Sequence, residues 1–155
     1  MPSRITRAAL GSWLVRSNPR SAADFLESAR RGDHPIDRWC VASNYRSAMM
    51  QSQDLILLWV SGDGRRMVRG LWGAGRVTGG AERCGIESGA LTVPVHIDLF
   101  GQGISDGELR SVGINDLEVQ RQPMGSNPSW ISKTHMQELS PILHSVSPAT
   151  VLPFG

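Results

Sequence analysis

The sequence predicts an α+β fold: a small mixed β-barrel with flanking helices, in one domain. Three observations carry that prediction. Apolar runs of strand length recur along the chain, and short helical segments fall between several of them. Two runs, at 54–61 and 67–78, are joined by the turn residues Gly62, Asp63 and Gly64. Hairpin-linked strands in the order β-α-α-β-β-β-(α)-β-α argue for a mixed architecture rather than a parallel sheet. A chain of 155 residues suits one domain with its own core. Its 40% hydrophobic and 19% charged residues exclude disorder as the main state.

Residues 1–11 read as an N-terminal arm, 12–144 as the domain and 145–155, with Pro148 and Pro153, as a C-terminal tail. Ser12 to Arg16 (SWLVR) is the first strand. Ser21 is placed to cap a helix over residues 22–30, with Asp24 in its first turn, Phe25, Leu26 and Ala29 on one face and Gly32 as the stop. A second short helix covers Tyr45 to Gln51. The run DLILLWVS, Asp54 to Ser61, is apolar on both faces and so belongs in the middle of the sheet. Met67 to Thr78 returns as a long strand containing Gly70, Gly73 and Gly75. Glycines inside a strand imply a sharp bend or something packed close against the backbone. Leu91 to Phe100 is a further strand, in which Pro94 marks an edge or a bulge. Asp106 to Val112 reads as a short helix or turn and Leu117 to Gln120 as a weak strand. Ser132 caps a last helix that runs to about Leu139, limited by Pro141.

The charge is unevenly distributed. Residues 1–80 carry twelve arginines against six acids, whereas residues 81–155 carry four basic residues against eight acids. The basic residues are 15 Arg and one Lys, and the planar guanidinium fork suits phosphate and stacks on bases. This permits a nucleic-acid partner without requiring one, because arginine-favouring codon usage produces the same bias. No run approaches the ~20 apolar residues of a membrane helix, and the first eleven residues contain no apolar signal core, so no membrane association is expected. Cys40 and Cys84 lie in no CxxC, which makes a reduced, cytoplasmic protein the expectation.

Residues with catalytic potential do not assemble into a known pattern. His34, His96, His135 and His144 have no metal-ligand spacing, and no cofactor is expected. His96 and Asp98 share a strand face, where a solvated ion pair is the simpler account. There is no GxSxG elbow, and GLWGAG lacks the lysine and the strand-to-helix position of a phosphate loop. The chain therefore reads as a non-enzyme.

Tryptophan is the unusual residue, with five present against one Tyr and three Phe. A modified base needs flat walls to stack on and a few polar groups for its edge. Trp13 and Trp59 lie within apolar strands and read as core. Trp72 is flanked by glycines that leave room beside its ring, and Trp130 precedes the last helix. Trp39, in the polar stretch DRWCVASN, reads as a loop tryptophan and is the foremost candidate.

The segments SWLVRSNP, RWCVASNYRSAM, DLILLWVSG, RGLWGAGRVTG and NPSWISKTHMQEL, in that order across residues 12–143, resemble the EVE domain and are similar in order to the YTH domain. The resemblance implies a PUA-like barrel that holds a modified base in an aromatic pocket: a modified cytosine in DNA for EVE-like proteins, N6-methyladenosine in RNA for YTH proteins. By that likeness Trp39 is the first pocket wall, and Cys40, Ser17, Asn18, Asn44 and Tyr45 contact the base. The loop in which YTH proteins place a second tryptophan corresponds to Ala81–Ala90, which has no aromatic residue. That departure favours modified cytosine and leaves the second wall open among Tyr45, Trp72 and Trp130. Arg16, Arg46, Arg65, Arg66 and Arg69 are the expected phosphate contacts, and a monomer is expected. The alternatives are a reader of N6-methyladenosine in RNA, an ASCH-like nuclease or amidohydrolase on the same barrel, which would need a Lys-centred cluster where the chain offers only Lys133, and an interaction domain whose tryptophans are all core.

Overall fold

The computed structural model describes residues 5–17, 36–61, 68–83, 90–122, 125 and 127–146. The helix expected over 22–30 lies outside these residues. Within them the chain forms β1 (Leu10–Ser17), β2 (Ile36–Ala42), α1 (Tyr45–Met49), β3 (Leu55–Val60), β4 (Gly70–Val77), β5 (Glu82–Arg83), β6 (Ala90–Ser105), α2 (Asp106–Ser111), α3 (Glu118–Arg121), β7 (Ser129–Ser132) and α4 (Lys133–Val146). Among the described residues the architecture is mixed α+β, a curled half-barrel sheet with four helices.

The strands follow the order β2-β6-β4-β3-β1-β7, with the two-residue β5 added to β6. Among the described residues only β1 and β3 run parallel, and every other strand pair is antiparallel. β3, LILLWV, is the central strand, and all six of its residues are buried. Alternation then divides it between two cores. Leu55, Leu57 and Trp59 pack with Leu71, Phe100 and Ile104 and with the α4 residues Met136, Leu139 and Leu143. Ile56, Leu58 and Val60 pack with Trp13, Val15, Val41, Trp72, Val93 and Ile97 on the other face. Each fully buried side chain of this size contributes roughly 1.5–3 kcal/mol through removal of apolar surface from water. A strand with two buried faces is thus the principal anchor of the sheet.

The glycines of β4 are explained by the neighbouring strand. A Cβ at Gly75 would overlap the His96 carbonyl oxygen of β6, and Gly70 (φ +154°) would meet that of Ile104. Close approach of backbone, one of the two reasons anticipated, accounts for them. Pro94 sits beside a register shift in the β2–β6 ladder, between the pairs Arg38–Pro94 and Ile36–Ile97.

Several assignments differ from expectation. β1 begins at Leu10 and Ile5 is buried, so part of the expected arm belongs to the fold. Leu117 to Gln120 is not a strand: α3 forms because the buried Gln120 side chain folds back, its Oε1 accepting from the Leu117 N–H (2.9 Å) and its Nε2 donating to the Ile114 carbonyl (2.8 Å). β6 continues to Ser105 rather than ending at Phe100. α4 begins as expected, with Ser132 Oγ accepting from the His135 N–H (3.1 Å), but it passes through Pro141 to Val146. Proline forfeits one helical hydrogen bond, and here the burial of Met136, Leu139 and Leu143 on the core carries the helix past it.

Candidate functional site

Trp39 lies on an edge strand rather than in a loop. β2 pairs with β6 (Trp39 opposite Val93), and its residues Asp37, Arg38 and Cys40 are exposed. Those polar residues made the stretch look like a loop. Trp39 shares the inward face with Val41 and packs, half-buried, against the inner core. Cys40 projects to the opposite, exposed face, so the strand does not bring it to the same surface as Trp39.

Two further aromatic residues rim that core. Trp130 is half-buried on β7, opposite Trp13 of β1. Tyr45, also half-buried, opens α1 and accepts a hydrogen bond on its hydroxyl from the Ile5 N–H (3.2 Å). Trp72, by contrast, is 7% exposed, donates Nε1–H to the Val68 carbonyl (2.7 Å) and rests where Gly103 has no side chain. It belongs to the interior. Trp39, Tyr45 and Trp130 thus bound the inner core, with Trp13 among its buried residues.

The two edges of the sheet meet beside these rings. The Ala42 N–H, at the end of β2, donates to the Asn127 carbonyl (3.3 Å), just ahead of β7. Asn44 reinforces the junction. Its Oδ1 accepts from the Arg46 and Ser47 N–H groups as the N-cap of α1, and its Nδ2 donates to the Asn127 carbonyl (3.1 Å). Arg16 Nη2 donates to the Gly125 carbonyl (2.6 Å), and burial lowers the Arg16 pKa, partly offset by the nearby Glu118 charge. Ser17 is buried at the end of β1, with its carbonyl accepting from the Ser61 N–H (2.8 Å).

Arg46 is committed to an ion pair. Its Nη1 and Nη2 bind Glu118 Oε1 and Oε2 (2.6 and 2.9 Å), and Nη1 also donates to the Pro128 carbonyl (3.1 Å). Ser129 Oγ donates to the same Glu118 Oε1 (2.8 Å). Burial alone would raise the Glu118 pKa, but the Arg46 and Ser129 hydrogen bonds and the Arg46 and Arg121 charges outweigh it and hold the carboxyl below its usual range. Nothing in the sequence marked Glu118, because its partner is 72 residues away. Arg69 has a buried Nε without a hydrogen-bond partner. Asn18, Arg65 and Arg66 lie outside the described residues. The His96–Asp98 pair is solvated (Nε2 to Oδ1 3.4 Å, both more than half exposed). Among the described residues no group of three or more His, Cys, Asp or Glu could hold a metal, and no helix is long and apolar enough to cross a membrane.

No protein-family model and no curated protein matches the chain. Its fold is similar to three solved structures. Protein Rpa0253 from Rhodopseudomonas palustris, determined by NMR, superposes with a TM-score of 0.63 at 14% identity, covering 92% of this chain and 97% of that one. A hypothetical protein from Leishmania major gives 0.65 at 15% identity, covering 90% and 98%. Protein PSPTO5229 from Pseudomonas syringae gives 0.51 at 15% identity, covering 84% and 97%. At these identities the likeness concerns the fold alone.

Proposed function

We propose that the chain is a non-catalytic, PUA-like reader of a modified base in nucleic acid, with modified cytosine in DNA as the preferred ligand. The observation that carries the reading is the set of three half-buried rings, Trp39, Tyr45 and Trp130, around one face of the sheet. Half-buried aromatic rings are held in position by the core while part of each stays exposed, which suits stacking on a base. The order of the EVE-like segments points the same way, and the missing aromatic in 81–90 favours cytosine over N6-methyladenosine. Ser17 and Asn18 would meet the base edge, and Arg65, Arg66 and Arg69 the phosphates.

Fluorescence anisotropy on DNA and RNA oligonucleotides carrying modified cytosines, N6-methyladenine or no modification tests the reading. The wild type prefers one modified base, and Trp39→Ala weakens that binding roughly 5- to 150-fold, the equivalent of about 1–3 kcal/mol of stacking. Unchanged affinity in a folded Trp39→Ala variant overturns the reading. Turnover of RNA or of an acetylated nucleoside would replace it with the enzyme alternative.

A further inference from the structure

We propose that the Arg46–Glu118 pair is a brace that sets the spacing of the aromatic rim, and that Arg46 is not a phosphate contact; this rests on the reading of the rim as the base site. Three elements converge on one carboxylate. Glu118 belongs to α3 and receives Arg46 of α1, the residue after Tyr45, together with Ser129 of β7, the residue before Trp130. Two of the three rim aromatics are therefore covalent neighbours of groups bound to the same carboxylate. Arg46 also lies over the Tyr45 ring, 6.0 Å from its centroid, and anchors the Pro128 carbonyl on the approach to β7.

The pair is unsuited to meeting a phosphate. Its side chains are 13% and 12% exposed, and both Nη atoms of Arg46 are engaged with the carboxylate. A phosphate would have to displace a bidentate, desolvated partner. The pair is equally hard to explain as a simple source of stability, because apolar residues of similar volume often do as well in a buried site. What a bidentate pair supplies is direction: two parallel bonds fix the angle as well as the distance between the elements they join. The Asn127 carbonyl, bound by Ala42 and Asn44, and the Gly125 carbonyl, bound by Arg16, hold the segment that leads into β7.

Three variants test the brace. Ser129→Ala removes one hydrogen bond and retains the ion pair, and Glu118→Gln removes the charge. The double change R46M with E118M removes the pair while preserving net charge and buried volume, so that at least one braceless chain remains folded. Acrylamide quenching of ligand-free protein in a Trp39→Phe background reports on Trp130, since Trp13, Trp59 and Trp72 are buried. The quenching constant rises in all the variants that fold. Affinity for the preferred modified oligonucleotide falls roughly fivefold or more, as expected when one stacking wall is misplaced. The slope of log affinity against log salt stays at the wild-type value in the double variant. A slope smaller by about 0.9 would show that Arg46 neutralises a phosphate, and unchanged quenching would show that the pair does not position the rim; either result overturns the brace. If the wild type binds no modified oligonucleotide, the base-reader reading fails separately, and the quenching measurement alone decides for or against the brace.

Discussion

Asp54 gives the sharpest test of how the sheet is held together. It lies at the entrance to β3 with an 8% exposed side chain, and it gathers four donors. Arg7 Nη2 reaches Oδ1 (2.6 Å), while Arg7 Nη1 (2.8 Å), Trp13 Nε1 (2.9 Å) and the Gln51 N–H (2.9 Å) reach Oδ2. These partners differ in what they lose when the carboxylate is removed. Arg7 is 45% exposed and Gln51 lies at the surface, so both can turn to water, and the ion pair, solvated at its Arg7 end, contributes about 1 kcal/mol or less. Trp13 is fully buried, and its indole N–H would be left unpaired at a cost of about 1–3 kcal/mol. Asp54→Ala should therefore cost roughly 2–4 kcal/mol, lowering the Tm by about 5–15 °C at this chain length. Asp54→Asn can keep an oxygen for Trp13 and should cost only about 1 kcal/mol, or about 2–4 °C. Differential scanning calorimetry of both variants and of Arg7→Ala decides the matter. If Arg7→Ala costs as much as Asp54→Ala, the ion pair rather than the buried indole is the source of the stability, and the reasoning is refuted.

Acid should weaken the same knot and the Glu118 brace together. Asp54 and Glu118 are both desolvated, yet their hydrogen bonds and cationic partners bring their folded pKa values below the ordinary 3.8 and 4.5. As pH falls the unfolded chain takes up these protons first, so their stabilisation is complete above about pH 5 and is lost through and below the ordinary carboxylate range. Tm measured from pH 7 to pH 3 should be level and then fall, with a shallower acid limb in Asp54→Asn and Glu118→Gln; identical limbs would assign the fall to other carboxylates. Asn44→Ala should destabilise by about 1 kcal/mol through loss of the α1 cap, seen as a lower denaturation midpoint, whereas Asn44→Ser should recover most of it. Gly103→Ala should displace the Trp72 ring, since an added Cβ would overlap it, and should cost about 1–3 kcal/mol by overpacking. A red-shifted tryptophan emission with a lowered Tm would register that change.

The residues differ in how much of their fate was legible from sequence. β3 could be read directly, because an unbroken apolar run of strand length has nowhere to go but the centre of a sheet. The Ser132 cap was equally local. Trp39 was misread because an edge strand with one solvated face looks, in a short window, like a polar loop; the alternation of Trp39 and Val41 against Arg38 and Cys40 was present but only a few residues long. The helix α3 was misread because LEVQ alternates like a strand, and its helical form depends on where the Gln120 side chain finds acceptors and donors.

The sequence by itself determined a mixed α+β sheet protein, its central strand and the tryptophans from which an aromatic surface could be built. Only the tertiary structure decided which of those rings stay at the surface, placing Trp72 inside and Trp39, Tyr45 and Trp130 at the rim. It likewise gave Arg46 to Glu118 rather than to solvent. The reason is physical. Strand pattern and helix caps depend on neighbours a few residues apart, whereas the burial of a ring and the pairing of a guanidinium depend on closing a curled sheet, which brings together groups more than seventy residues apart in the chain.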